Sequence, residues 1–302
     1  MPGSGWRGCD APLTVLSPSV YFGYTGKRSI IMPEIMTLKR EAFLAGVGVH
    51  SGLPVELRLK PSETGRILFR RLDLGREAVL DPRKMEAKNS SCFRDGDFEV
   101  LTLEHLLAAL YAFGIGSAEI ELTAAEVPIL DGSAAPFVRA LGEVGTEPIG
   151  RAWDPIKIVE PHLFQSEDAS LAIEPYQGFK ISYGIEYSHP AIGRQEISLD
   201  IDAASFAKEV APARTFGFVS DLASYRSRGL ALGSSLENTI GLDDEKVVNP
   251  PFRFPDEFVR HKVLDLLGDL ALLGRPVLGH FRAWRAGHAL HLQAVRFLLG
   301  RS

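Results

Sequence analysis

From Thr37 onward, apolar and polar positions alternate in short runs, the period-two pattern of strands with one buried face. Val55-Glu56-Leu57-Arg58-Leu59, Arg66-Ile67-Leu68-Phe69-Arg70 and Ala118-Glu119-Ile120-Glu121-Leu122 show it most cleanly. Between them the period lengthens. Glu104 to Phe113 spaces its apolar residues as a helix does, with Gly114 as a C-terminal stop, and Pro136–Gly142 predicts a shorter helix. The stretch Gly145–Pro155, with Gly150 and two prolines, reads as a linker. The second half brings strands around Ile156–Val159, Leu171–Ile173 and Ile181–Tyr187, helical character over Phe206–Glu209 and Leu222–Arg226, and a long helix from Pro255 to Gly274. Each half therefore holds several strands and one prominent helix. The pattern predicts an α+β chain of two similar domains, over 37–148 and 154–302, with the Glu104 and His261 helices facing each other between them.

The long helix departs from a simple apolar stripe. His261, Asp265 and Asp269 recur every fourth residue and share one face, while Phe258, Val263, Leu264, Leu266, Leu267 and Leu270 make most of the rest apolar. A buried imidazole and carboxylates need partners, because desolvating them unpaired costs kilocalories. A metal ion is the simplest partner, and a buried polar network is the alternative. The segment Leu103-Glu104-His105-Leu106 supplies a second imidazole. His105, His261 and Asp265 then make three ligands with a fourth position open, the pattern of catalytic rather than structural zinc. Glu104 directly precedes a ligand and is placed to take a proton from a water beside the metal.

Composition narrows the setting. The chain has 302 residues, 45% apolar and 24% charged, which is ordinary globular usage with room for a large core. A net charge of −5 and the lack of a basic run exclude a general attraction to nucleic acid. No apolar stretch approaches the ~20 residues of a membrane span. Two cysteines, Cys9 and Cys92, rule out a disulfide framework and fit a reducing cytoplasm. Residues 1–36 lack periodicity and read as a disordered extension or a mis-assigned start, with no function expected there.

Four more segments carry glycine, histidine and hydroxyl groups. Gly46-Val47-Gly48-Val49-His50-Ser51-Gly52 is a glycine-rich turn whose His50 is substrate-facing or structural. Pro128-Ile129-Leu130-Asp131-Gly132-Ser133 precedes a helix, so that Asp131 or Ser133 serves as its cap. Ala213-Arg214-Thr215-Phe216-Gly217-Phe218 sets a hydroxyl between a cation and two aromatics, and Ala286-Gly287-His288-Ala289 places a histidine in a late loop. With EHLLAAL and FVRHKVLDLLGDL, these segments resemble one family, the UDP-3-O-acyl-N-acetylglucosamine deacetylases, zinc amidases that commit their substrate to lipid A synthesis. The resemblance runs over residues ~38–298 in the family's order and spacing.

The resemblance implies a role for each matching position. His105, His261 and Asp265 would hold Zn2+, with Fe2+ an alternative for such a donor set. Glu104 would be the general base, His288 the group that protonates the leaving amine, and Asp269 the residue that orients His288. Thr215 would donate to the oxyanion and Lys262 would meet the substrate's phosphates. Phe216 and Phe218 would line the hexosamine site and acyl passage, and Arg285 would contact the uridine diphosphate unless it is a solvated surface residue. The implied fold is two α+β domains, each a sheet layer with helices, the helices sandwiched between the sheets. A βαβ-like insert at about 215–248 would lend Leu222, Leu230, Ala231 and Leu232 either to an acyl tunnel or to its own core. The implied partner is a UDP-linked acylated glucosamine, met by a cytoplasmic monomer with neither a nucleic-acid partner nor an integral membrane segment. Departures from the family pattern, at Glu99-Val100-Leu101 and around Glu237-Asn238-Thr239, touch none of these residues.

Overall fold

The computed structural model describes residues 34–87 and 90–300. The region before Glu34, including Cys9 and most of the expected extension, lies outside them. The first half builds a five-stranded sheet in the spatial order Ala42–Val47, Pro54–Pro61, Ala118–Leu122, Ile67–Arg71, Arg76–Val79. Strict alternation drives it: Val55, Leu57 and Leu59 are buried while Glu56 and Arg58 face solvent. Ala118–Leu122 comes last in sequence yet lies in the middle, antiparallel to Pro54–Pro61 and parallel to Ile67–Arg71. A separate three-stranded meander, Met85–Ala87, Ser91–Asp95 and Phe98–Leu101, leads into helix α1, Glu104–Ala112. Helix α2 is Ala135–Val144.

The second half repeats this plan. Its sheet runs His162–Ser166, Ala169–Glu174, Val277–Trp284, Phe179–Glu186, Arg194–Asp200, with Ile156–Lys157 added alongside Val277–Trp284. Val277–Trp284 again comes last and lies in the middle, antiparallel to one neighbour and parallel to the other. Helix α3, Ala203–Ser205, continues into a π-turn over Phe206–Val210. The strands Phe216–Phe218 and Ile240–Leu242 pair in parallel around helix α4, Val219–Ser227, so the βαβ insert is present. Helix α5, Glu257–Leu270, precedes the middle strand just as α1 does in the first half, and α6, His288–Leu299, closes the chain. The result is two similar α+β units whose helices α1 and α5 pack against each other between the sheets. Gly268 permits their close approach, since a Cβ there would lie 2.2 Å from the Glu104 carbonyl oxygen.

Two local expectations change. Most of the Gly145–Pro155 stretch is not a linker: Thr146–Ala152 is a strand antiparallel to Glu34–Leu38. A two-stranded ribbon tolerates Pro148 at an edge, and Gly150, at φ 71°, lies where the register shifts between Glu34 and Met36. His288 is not in a loop but is the first residue of α6. The helix is followed by Gly300, and its buried face (Leu290, His291, Ala294, Val295, Leu298) has helical spacing.

Candidate active site

Helix α1 begins abruptly. Thr102 has a φ of 56°, a costly conformation for a β-branched residue, and its hydroxyl donates to the buried Glu126 carboxylate at 2.9 Å. Glu126 also accepts from the backbone N–H groups of His50 and Ser51, so it ties the start of α1 to the glycine-rich turn. Glu104 and His105 then fall on the first turn of α1, both buried.

His105, His261 and Asp265 converge, their ligand atoms all within 4.8 Å of one another. His261 Nε2 is 3.4 Å and His105 Nε2 4.0 Å from Asp265 Oδ1. Ligand atoms about 2.1 Å from a common tetrahedral centre stand about 3.4 Å apart, so the spacing suits one small cation. The donor chemistry agrees. Burial, helped by the neighbouring His261, pushes the His105 pKa down to about 3, and burial lowers that of His261 as well. Both rings are therefore neutral with a lone pair to offer. The Ala213 carbonyl accepts from His261 Nδ1 at 3.1 Å, which leaves Nε2 for the centre. Burial favours the neutral Asp265 carboxyl, but Lys262 and His261 overcome it and hold the group ionised far below the usual carboxylate range. Lys262 Nζ donates to Asp265 Oδ2 at 3.0 Å. Two neutral imidazoles and one carboxylate fit a divalent cation such as zinc or iron(II).

Two acid–base groups flank this centre. Burial raises the Glu104 carboxyl to about 7, against the pull of His288, and its Oε2 accepts from the Ser91 N–H at 3.1 Å. A bound cation would draw it down again. Opposite, His288 Nδ1 donates to Asp269 Oδ2 at 2.7 Å. Burial works against a charged His288, yet the fully buried Asp269 carboxylate prevails and lifts its pKa to about 10. Asp269 is likewise held down at about 2: burial pushes it up, and His288 more than compensates. One group is poised to take a proton and the other carries one.

A cleft of about 600 Å³ joins these residues. Glu104, His105, Thr215, Phe216, Phe218, His261, Lys262, Asp265 and His288 line it, and so does His50. Asp269 lies behind His288, with no exposure. Thr215 is fixed at both ends: its N–H donates to the Gly132 carbonyl at 2.8 Å and its own carbonyl accepts from Ile240 N–H at 2.8 Å. The Asp131 loop thus anchors the insert, and its Ser133 Oγ accepts from Ala135 N–H at the entry to α2. Phe216 lies between Phe258 and Tyr187, with the Lys262 ammonium 5.6 Å from its ring centre. Of the apolar insert residues, Leu222 and Ala231 line the cleft, beside the exposed Val219 and Leu236, while Leu230 and Leu232 do not.

Arg285 stands apart. Its guanidinium pairs with Asp168 at 2.6 Å, and it is not among the residues lining the cleft. It is exposed, just past the end of the strand Val277–Trp284, where a φ of 48° turns the chain into α6. Three residues of the site carry no motif that would betray them. Ser91 bridges the two sides: its N–H donates to Glu104 and its hydroxyl to Asp269, with Oγ also 3.3 Å from His288 Nδ1. His291 donates to Asp269, and Tyr183 contacts His291. Only His291 left a signal, its i+3 spacing from His288.

Residues 36–300 match the family described as LpxC, UDP-3-O-acyl N-acetylglycosamine deacetylase. The chain is 43% identical over 271 residues to a UDP-3-O-acyl-N-acetylglucosamine deacetylase of Coxiella burnetii (strain Dugway 5J108-111), covering 87% of this chain and 89% of that one. It is 41% identical over 270 residues to one of Geobacter sp. (strain M21) and 38% identical over 271 to one of Geotalea uraniireducens (strain Rf4), each match covering 88% of both chains. A match over nearly all of the described fold, together with the convergence of both halves on one cleft, leaves one conclusion: the chain belongs to the UDP-3-O-acyl N-acetylglycosamine deacetylase family.

Proposed function

We propose that this protein hydrolyses the N-acetyl group of UDP-3-O-(3-hydroxyacyl)-N-acetylglucosamine, releasing acetate and the free amine, the committed step of lipid A synthesis. One observation carries the reading. A buried carboxyl raised to about 7 and an imidazole raised to about 10 flank a cation-ready trio of ligands in one cleft. Zn2+, or Fe2+, held by His105, His261 and Asp265 supplies Lewis acidity and lowers the pKa of a water toward ~7. Glu104 accepts the proton of the attacking water. Thr215 donates a hydrogen bond to the oxygen that becomes negative when the amide carbon turns tetrahedral. As the C–N bond breaks, His288 gives its proton to the departing nitrogen, and Asp269 keeps that imidazole charged and oriented. Lys262 faces the substrate's phosphates, and Phe216 and Phe218 line the hexosamine site and the start of the acyl passage.

The organisation around this chemistry belongs to the same reading. Residues 37–148 and 154–302 are taken as two domains, with the insert at 215–248 walling the acyl side. Sparse cysteine, with Cys92 buried and free, supports a cytoplasmic enzyme. Among the described residues no helix is long and apolar enough to cross a membrane. A monomer is taken as the working unit, and light scattering tests it.

The deciding experiment measures acetate release from UDP-3-O-acyl-N-acetylglucosamine, with bound metal quantified on the same preparations. The wild type is expected to be active and metal-loaded. His261→Ala should lose metal, and Glu104→Ala should keep metal while losing activity by about 10²–10⁴-fold. A metal-loaded, inactive wild type would point to another amide substrate, and neither metal nor activity after reconstitution would reduce the trio to a structural polar network.

A further inference from the structure

Asp269 serves two imidazoles. Its Oδ2 accepts from His288 Nδ1 and from His291 Nδ1, each at 2.7 Å, and its Oδ1 accepts from the Ser91 hydroxyl. The two rings stand 5.9 Å apart and nearly perpendicular, one turn apart on α6. His288 borders the cleft, whereas His291 has no exposure and does not line it. Packing alone would be served there by an apolar side chain. A carboxylate can only accept, so the proton of a neutral His291 belongs on Nδ1. Burial does keep His291 neutral, its pKa lying below the ordinary value despite Asp269. Its far nitrogen, Nε2, then lies 3.2 Å from Tyr183 Oη, whose hydroxyl donates to the Ala286 carbonyl at 2.7 Å. In that tautomer Nδ1 donates to Asp269 while Nε2 faces Tyr183 Oη, whose proton goes to Ala286, and the ring is held between α5 and the strand Phe179–Glu186.

We propose that His291 is a positioning residue for His288: by donating to the same Asp269 oxygen, it limits how strongly Asp269 holds the His288 proton. A carboxylate whose charge is shared among several donors is a weaker partner for each of them. Without a counterweight, His288 at the head of α6 would be bound to its proton more tightly than transfer to an amine requires. The other charged or titratable groups around it are Asp265 and His261 on α5, Glu104 and His105 on α1, and Tyr183 beside His291. None of them changes when His291 is replaced, so the shift has one sign. Loss of the His291 donor raises the pKa of His288, moves the high-pH limb of kcat upward and lowers kcat near neutrality. KM stays put, because His291 does not border the cleft. The catalytic half of this prediction rests on the role of His288 proposed above.

Two polar substitutions separate the Asp269 bond from mere filling of the space. Asparagine can place an amide N–H where Nδ1 was. Glutamine reaches the position of Nε2 and Tyr183, and leaves Asp269 without that donor. On zinc-loaded full-length protein with isotopically labelled histidine, NMR follows the His288 titration, with His288→Gln assigning the resonance. His291→Gln is expected to raise it by about 0.5–1 on the pH scale, and the kcat profile should follow. His291→Asn should leave both near wild type. In the wild type, His291 should show the Nδ1–H tautomer, a test that needs no variant to fold. An Nε2–H tautomer, an unmoved His288 in His291→Gln, or equal shifts in both variants would each overturn the proposal. A moved His288 titration with an unmoved kcat profile would uphold the positioning and sink the catalytic role of His288 instead.

Discussion

Gly268 lies within α5, where intrinsic propensity favours alanine over glycine by about 1 kcal/mol. The structure reverses that preference. A Cβ on Gly268 would stand 2.2 Å from the Glu104 carbonyl oxygen and 2.7 Å from both its carbonyl carbon and its Cα. The obstacle is helix backbone, with no side chain to swing aside. Restoring an ordinary C···O contact of about 3.4 Å requires α1 and α5 to part by roughly 1 Å. Overpacking of this kind costs about 1–3 kcal/mol, so after the propensity gain Gly268→Ala should lose up to roughly 2 kcal/mol net and melt up to about 8 °C lower. The effect on chemistry should be larger than the effect on stability. Glu104 and His105 ride on α1 while His261 and Asp265 ride on α5, so the displacement opens the site itself. A misplacement of 1 Å can cost about 10²-fold in rate. Scanning calorimetry, zinc titration and steady-state acetate release on one preparation measure all three effects. A variant that melts at or above the wild type with kcat within about twofold would refute the close-approach argument.

Other perturbations probe other parts of the site. The pKa of His288 in the fold, about 10, lies above its ordinary 6.5, so its stabilisation is complete below about 6.5 and is lost as pH rises through 10. Urea unfolding should show the wild type's advantage over His288→Gln shrinking across that window, and a constant difference would contradict the Asp269 pairing. Glu257 has no exposure, pairs with Arg214 at 2.8 Å and accepts from Arg253 N–H at 2.7 Å. Glu257→Ala strands that cation beside Thr215, and denaturant titration should record a loss of about 3–5 kcal/mol together with reduced turnover. Removing metal with a chelator should lower the melting midpoint, since free zinc at 100 times its Kd adds about 2.7 kcal/mol of stability. His261→Ala should melt at the same temperature with or without added zinc.

The parts of the molecule legible in its sequence are those whose pattern is local. Helix α5 shows its imidazole and carboxylate stripe at a four-residue spacing and ends near Gly274, whose φ is 67°. The strand through Val55, Leu57 and Leu59 alternates because only one of its faces is buried. Where a buried position is a glycine or a partner is remote, the pattern is weaker. Val277–Trp284 buries alternate residues, but Gly279 stands on its buried face and Leu278 and Trp284 on the other, which blurs the alternation. Yet a Cβ at Gly279 would meet Ile158, so the glycine admits a neighbouring chain. Asp269 appears in sequence as one more member of the α5 stripe. The family resemblance ties it to His288, but only the fold reveals that the same carboxylate also accepts from His291 on α6 and from a serine on the meander.

The repeated topology explains why the site has to form where it does. In each half the helix before the central strand is the one with a polar stripe: α1 with Glu104 and His105, α5 with His261, Asp265 and Asp269. Equivalent helices from two similar units pack as partners, so the candidate ligand trio takes His105 from one half and His261 and Asp265 from the other. A row of imidazoles and carboxylates buried against an unpaired apolar surface would destabilise either half. Their meeting removes that cost by giving each polar group a neighbour from the opposite helix. The pairing also means that an alteration at the α1–α5 contact reaches stability and chemistry together, whereas one at the outer strands reaches stability alone.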